Sequence, residues 1–405
     1  MIESFDINTR YPLNEWMDYI IHEWLKTNLN QKKEMDASKH YYNPDKINPW
    51  HMEDSVWTHT MMVCTAYKAH FPNSFMKYSE ALIPVLTCLL HDYGKVITRH
   101  LDHVKMKARF SQHGPHGVLN ALEYTNQLLN DNRSKTNSYA ERQNILRRVC
   151  YMTSRHMEYE NMASVDKIAA FTNYNEDYLD DFYKFSIADC EGRIMLKERN
   201  DGLRSELVNI MRNQRDHIES IGWSFWDSHP TAPKTWIYCG IPGSGKDYQA
   251  SSKGFTVFSY DNVRMKYYKN FSTTYNPKKS EAETYSEAYE FFTEKNINPD
   301  PLLNAELKDH YKKYGNLDYI AICNVNLSLK ARKRILHNIR SIDPNCNIGC
   351  RFILTPLSNA VKNDATRESK NLGKDLIVSR FNEIVLPTMI EGFSKVVYET
   401  PYLEG

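Results

Sequence analysis

The sequence predicts two domains of different class: an all-α domain over residues 1–225 and an α/β domain with a parallel sheet over 234–405, joined by a linker at 226–233. Two observations carry this. From about residue 12 to 222 the apolar residues recur at helical spacing, with no strand-like alternation and no Asn-Gly or Asp-Gly hairpin signal. Beyond the linker, short apolar runs ending in polar residues alternate with helical stretches, the pattern of a parallel sheet covered by helices. A chain of 405 residues suits two domains, and 41% hydrophobic residues suffice for two cores.

The elements follow in order. DSVWTHTMMVCTAY places Val56, His59, Val63 and Tyr67 on one helix face. ALIPVLTCLL is apolar nearly all round and ends in His91-Asp92, with Gly94 available to stop it. NILRRVCYMTSRHM aligns Ile145, Val149, Met152 and His156, and DFYKFSIADCEGR aligns Phe182, Phe185, Asp189 and Arg193. A long charged helix is predicted over Leu203–Ile221, after which Trp223, Trp226, His229, Pro230 and Pro233 break the pattern. The runs TWIYCG (235–240), FTVFSYD (255–261), LDYIAICN (317–324) and CRFILTP (350–356) are the four predicted strands.

Composition narrows the function. Net charge is +1, so no global field draws nucleic acid, and binding of that kind must come from local clusters such as LKARKR (329–334) and NPKKS (276–280). The eight cysteines form no C-x-x-C pair, which argues for reduced thiols rather than structural zinc. The start, MIESFDINTRYPL, reads as neither a signal nor a transit peptide, and no apolar run reaches spanning length, so a soluble cytoplasmic protein with no membrane partner is expected.

Three predicted helices each put a metal-competent group on an apolar stripe, and a fourth ends in His-Asp. Burying an unpaired carboxylate costs several kcal/mol or more, so these groups are expected to find one another. His59, His91, Asp92, His156 and Asp189 converging in a helical core suit a divalent transition metal with N and O ligands.

The stretches WTHTMMV, LLHDYGK, FSQHGPHGVLNALE, TSRHM and ADCEGR, spanning roughly 50–195, resemble the HD phosphohydrolase superfamily, most of all the HD domain of CCA-adding enzymes and of HD–polynucleotide kinase fusions. The resemblance implies His59, His91, Asp92 and Asp189 as ligands of one metal, with two intermediate histidines adding a second. His156 is one of these, and the other is His113 or His116, Phe110 favouring His113. One or two ions (Mn²⁺, Ni²⁺, Co²⁺ or Mg²⁺) would then activate water against phosphorus. Lys95 in the HD-x-x-K pattern and Arg193 would neutralise phosphate oxygens.

GIPGSGKD, residues Gly240, Ile241, Pro242, Gly243, Ser244, Gly245, Lys246 and Asp247, matches the phosphate-binding loop G-x-x-x-x-G-K-[ST] except at its end, where Asp247 replaces the magnesium-binding hydroxyl. The loop follows a predicted strand and opens a predicted helix. Its backbone N–H groups would cradle ATP phosphates, with Lys246 reaching the outer ones. FSYDNVR then adds Asp261 and Arg264 at a strand's carboxyl edge.

This combination resembles the 5′-polynucleotide kinase family, which implies Asp261 as general base for the acceptor hydroxyl and Arg264 as the grip on its phosphate. VKNDATRESK is similar to that family's lid helix, with Arg367 acting on the transferring phosphoryl group and Arg380 a weaker match. The sequence departs from the family at Asp247, at Cys323 or Asn324 where a strand-end acid belongs, and at Asn363 where the lid's first arginine belongs, while 270–316 has no counterpart. A carboxylate lost at the strand end and gained at the helix start would keep the charge count, with Asp247 on Mg²⁺.

Together the resemblances imply an enzyme that heals broken RNA or DNA ends, using ATP and leaving the joining to a separate ligase. The alternative is an HD nucleotidase or small-phosphoester hydrolase whose second half phosphorylates a metabolite or only senses nucleotide.

Overall fold

The computed structural model describes residues 6–130, 138–161, 165–195, 209, 216, 232–366 and 372–401. The predicted helix at 203–221 (apart from 209 and 216), the linker up to residue 231 and Arg367 lie outside the described residues. The chain divides into two compact units that part between Ser228 and His229.

The first unit holds helices α1 (Leu13–Thr27), α2 (Leu29–Ala37), α3 (Val56–His70), α4 (Tyr78–Leu90), α5 (Gly94–Thr98), α6 (His113–Leu129), α7 (Tyr139–Arg155), α8 (Val165–Phe171) and α9 (Glu176–Glu191). Local signals set their starts. Ser55 accepts from Thr58 N at α3, Asn175 accepts from Tyr178 N at α9, and Ser138 with Glu141 forms a capping box at α7. α4 is the central element: every residue except Glu80 is buried, as its all-round apolar sequence requires.

Three expectations need correction here. The unit is not purely helical, because β1 (Tyr11–Pro12) pairs with β2 (Phe75–Met76) and β3 (Arg99–Asp102) with β4 (Lys107–Phe110), both antiparallel. The β3–β4 turn contains Met106 at φ 49°, a left-handed residue that no Gly or Asn announces. By length and composition the stretch Tyr78–Thr98 could also cross a membrane, yet its apolar window is 83% buried inside the protein, where it packs as core. Gly94, finally, does not stop α4; it opens α5. A Cβ there would lie 1.8 Å from the His113 carbonyl oxygen, so glycine lets α5 and α6 touch through their backbones.

The second unit is a five-stranded, all-parallel sheet in the order β6-β7-β5-β8-β9, with β5 (Thr235–Cys239), β6 (Thr256–Phe258), β7 (Ile320–Ile322), β8 (Ile348–Ile353) and β9 (Lys395–Glu399). β5 is central and buried throughout, which accounts for its unbroken apolar run. β9 was not among the predicted strands; it is an edge strand with charged ends, KVVYE. Helices α10 (Lys246–Ser252), α11 (Tyr260–Phe271), α12 (Glu281–Glu294), α13 (Asp300–Tyr314), α14 (Leu329–Ile342), α15 (Leu357–Ala365) and α16 (Lys374–Phe381) accompany it. The stretch without a counterpart, 270–316, thus forms α12 and α13, with Ser280 and Glu283 as a capping box at α12.

Candidate functional site

In the first unit six predicted ligands meet in two groups. The ligand atoms of His59, His91 and Asp189 lie within 4.8 Å of one another, as do those of Asp92, His113 and His156, and all six residues are buried. Asp92 joins the groups. Its Oδ2 is 3.4 Å from His59 Nε2 and 3.3 Å from His91 Nε2, while Oδ1 is 3.1 Å from His113 Nε2 and 3.5 Å from His156 Nε2. His59 Nε2 is 3.1 Å from Asp189 Oδ1, and His113 and His156 approach Nε2 to Nε2 at 3.1 Å.

Backbone carbonyls decide which nitrogen faces inward. Nδ1 of His91, His113 and His156 donates to the carbonyl three residues earlier: Cys88 at 3.0 Å, Phe110 at 2.9 Å and Thr153 at 3.0 Å. A carbonyl only accepts, so Nδ1 carries the hydrogen and Nε2 presents its lone pair to the centre. His91 and His156 cap the C-terminal ends of α4 and α7, where last-turn carbonyls lack helical partners. His91 Nε2 is buried and makes no hydrogen bond, a costly arrangement for a polar atom unless a ligand is meant to meet it.

The electrostatics suit a cation between the acids. Burial acts to raise the carboxyls of Asp92 and Asp189, but Lys95 beside the first, and Arg193 and His59 beside the second, hold both well below the usual range. Burial lowers His113 and His156 despite Asp92, so both rings are neutral at pH 7. Burial also acts to lower His59, yet hydrogen bonds with Asp189 and Glu53 push it up to about 9. Lys95 Nζ lies 2.7 Å from Asp92 Oδ2, and Arg193, just past the end of α9, bonds Asp189. Both predicted cations are therefore buried inside the site. Buried His, Asp and Glu clusters of this kind could hold metal ions.

His116 is a correction. It lies off the buried face of α6, half-buried, with its Nδ1 donating to Gln112 O at 2.8 Å. His113 reaches the centre because the Gly94 contact brings the start of α6 against the turn that carries Asp92.

A third group, His40, His51 and Glu53, also has its ligand atoms within 4.8 Å, and sequence reasoning missed it. These residues precede the cap of α3 in a stretch without periodicity, so no apolar face marked them. Glu53 accepts from His51 Nδ1 at 2.6 Å and from the backbone N of Ile194 at 3.0 Å, and it lies 3.2 Å from His59 Nδ1. It thereby holds a candidate ligand from behind. Glu53→Gln is expected to weaken metal affinity about 10- to 100-fold, read by chelator competition; unchanged affinity would show that Glu53 does not orient His59.

In the second unit the loop Gly240–Lys246 runs from β5 into α10. Gly243 has φ 79°, and a Cβ there would come within 2.3 Å of the Ala360 carbonyl oxygen, so only glycine fits. Asn363 Nδ2 donates to Gly243 O at 2.9 Å, so where the resemblance implied an arginine this residue ties α15 to the loop. Lys246 Nζ is folded onto the loop, donating to Gly240 O at 3.0 Å and Ile241 O at 3.1 Å.

A cavity of about 220 Å³ opens beside the loop, lined among others by Lys246, Asp247, Asp261, Arg264, Tyr289 and Arg380. Asp247 is exposed on the first turn of α10 and within hydrogen-bonding reach of the Cys323 thiol, whose pKa burial and Asp247 raise. The gained carboxylate thus sits against the strand end that lacks one. Asn324 Oδ1 instead accepts from Tyr260 N at 2.8 Å. Asp261 stands on the first turn of α11, one residue past its start, and its Oδ1 accepts from Tyr285 Oη at 2.8 Å and from Arg264 Nη1 at 3.1 Å. Tyr285 comes from α12 and was not anticipated. Within LKARKR, Arg332 is buried against Glu391 and belongs to the core, leaving Lys330, Lys333 and Arg334 exposed.

All eight cysteines are free thiols. No protein-family model matches the chain, and no curated protein matches it.

Proposed function

We propose that this chain is a bifunctional nucleic-acid end-healing enzyme: a metal-dependent phosphoesterase acting on 2′,3′-cyclic or 3′-phosphate ends, joined to an ATP-dependent kinase of 5′-hydroxyl ends. The observation that carries it is Asp92, whose two oxygens face two separate histidine groups, the lone pairs of His91, His113 and His156 being turned inward. That donor set suits two hard or borderline divalent ions held a carboxylate apart, with His59, His91 and Asp189 on one and His113 and His156 on the other. Bound there, such ions would supply acidified water and polarise phosphoryl oxygens. Lys95 and Arg193 would share their charge between these acids and the phosphate oxygens of a substrate.

In the kinase half, Lys246 would leave the loop carbonyls for the outer phosphates of ATP, Asp261 would accept the proton of the acceptor hydroxyl, and Arg264 would hold the acceptor phosphate. Asp247 would take the place of both the missing hydroxyl and the missing strand-end acid on Mg²⁺. Its position against Cys323 supports that exchange. Asp247→Ser is accordingly expected to lower both magnesium affinity and 5′ phosphorylation, by roughly tenfold or more for one lost charged ligand. A rise in both would rule the exchange out.

Incubating the protein with RNA carrying a 5′-hydroxyl and a 2′,3′-cyclic phosphate, with labelled ATP and manganese, nickel, cobalt or magnesium in turn, tests the reading. Expected are 3′-side hydrolysis and 5′ label together. Hydrolysis of free nucleotides with label passing to small metabolites would favour the nucleotidase alternative, and no turnover with any ion would end both.

A further inference from the structure

Tyr289 is an aromatic ring without a core role. It lies four residues after Tyr285 on α12, so both face the same way, but its surface is 52% exposed while neighbouring Thr284, Ala288 and Phe292 are buried. Its ring lies 5.3 Å from the Arg264 guanidinium, and the ring of Tyr260 lies 5.9 Å from the same group. Arg264 is thus flanked by two aromatic faces, which fix a cation by attraction to their π-systems. The cavity that Tyr289 lines also contains Lys246 and Asp247, so donor and acceptor groups open into one space. The cationic line continues outward. Arg334, whose side chain is half exposed, bonds the Tyr260 hydroxyl at 3.1 Å and pairs with Asp300 at 2.9 Å.

We infer that α12 completes an acceptor site for single-stranded nucleic acid, with Tyr289 stacking the base of the terminal 5′-hydroxyl nucleotide, Arg264 and Arg334 meeting successive phosphates, and Tyr285 positioning Asp261. The inference rests on the kinase reading and names its acceptor. An exposed π-face beside a phosphate-binding arginine is sequence-tolerant, as an enzyme of arbitrary broken ends requires, and a mononucleoside would use the ring but have no second phosphate for Arg334. Two donors on Asp261 Oδ1 set the rotation of the carboxylate. In the transfer, the 5′ oxygen gives its proton to Asp261 and bonds the γ-phosphorus of ATP, while the bond from that phosphorus to the β–γ bridging oxygen breaks and ADP departs with the electron pair.

The test uses the full chain and a 5′-hydroxyl, 3′-fluorescein-labelled oligonucleotide, with anisotropy read in the absence of ATP and steady-state phosphorylation in its presence. Tyr289→Ala is expected to raise both Kd and KM for the oligonucleotide about 5- to 150-fold, the range for loss of one base–aromatic stack. KM for ATP should not move, and Tyr289→Phe should restore wild-type values. Tyr285→Phe, which keeps the ring, should lower kcat while leaving KM for the oligonucleotide unchanged. Wild-type Kd and KM in Tyr289→Ala, in a protein that does phosphorylate the oligonucleotide, would overturn the stacking site and leave the kinase reading standing. Weakened oligonucleotide binding by Tyr289→Ala in a protein that transfers no phosphate would uphold the site and sink the kinase.

Discussion

Asp92→Asn is expected to strip the first unit of metal and reduce its phosphoesterase activity by about 1,000-fold or more, the scale of a lost metal contribution of several kcal/mol. The amide keeps the shape of the side chain but removes the charge that both histidine groups share through Oδ1 and Oδ2. Asn is the better choice than Ala, because Lys95 Nζ is buried 2.7 Å from Asp92, and a cavity beside an unpaired cation would confuse loss of fold with loss of site. Metal content by mass spectrometry and hydrolysis of a cyclic-phosphate end are the readouts. His116→Ala is the matched control, since its ring is turned away from the ligand groups and bonded to Gln112 O, and it should behave as the native protein. Native metal content in Asp92→Asn would place the ions elsewhere.

Lys246→Ala is expected to cut phosphorylation of 5′-hydroxyl ends by about 100- to 1,000-fold, as for removal of one preorganised donor to developing charge. The change should leave hydrolysis at the histidine centre untouched. Lys246 is suited to the role because its ammonium is held by loop carbonyls at 3.0 and 3.1 Å, close to where phosphates would enter. Label transfer from ATP measures the first effect and 3′-side product the second. If either substitution abolished both activities, two independent sites would be the wrong description.

Much of the candidate metal site was legible from periodicity. His59, His156 and Asp189 fall on the stripes buried by α3, α7 and α9, and an unpaired buried carboxylate is too costly to leave alone. The strand–loop–helix geometry of Gly240–Lys246 was legible because its glycines, lysine and flanking elements are all local. Other features were not. The β3–β4 hairpin turns through Met106, so no turn residue marked it. Glu53 and His51 act from an irregular stretch, and α12 delivers Tyr285 to Asp261 from a segment with no recognisable pattern.

Periodicity tells which side of a helix is buried, because burial of apolar area follows from residue type and spacing alone. It cannot tell what that side meets. The choice of His113 over His116 came from a backbone contact between α5 and α6 that Gly94 permits, and the inward turn of each Nε2 came from carbonyls at the ends of α4, α7 and β4. The bridging of two histidine groups by Asp92, and the placing of Asp247 against Cys323, are likewise distances between elements remote in the chain. Such distances arise from packing, and packing belongs to the folded molecule.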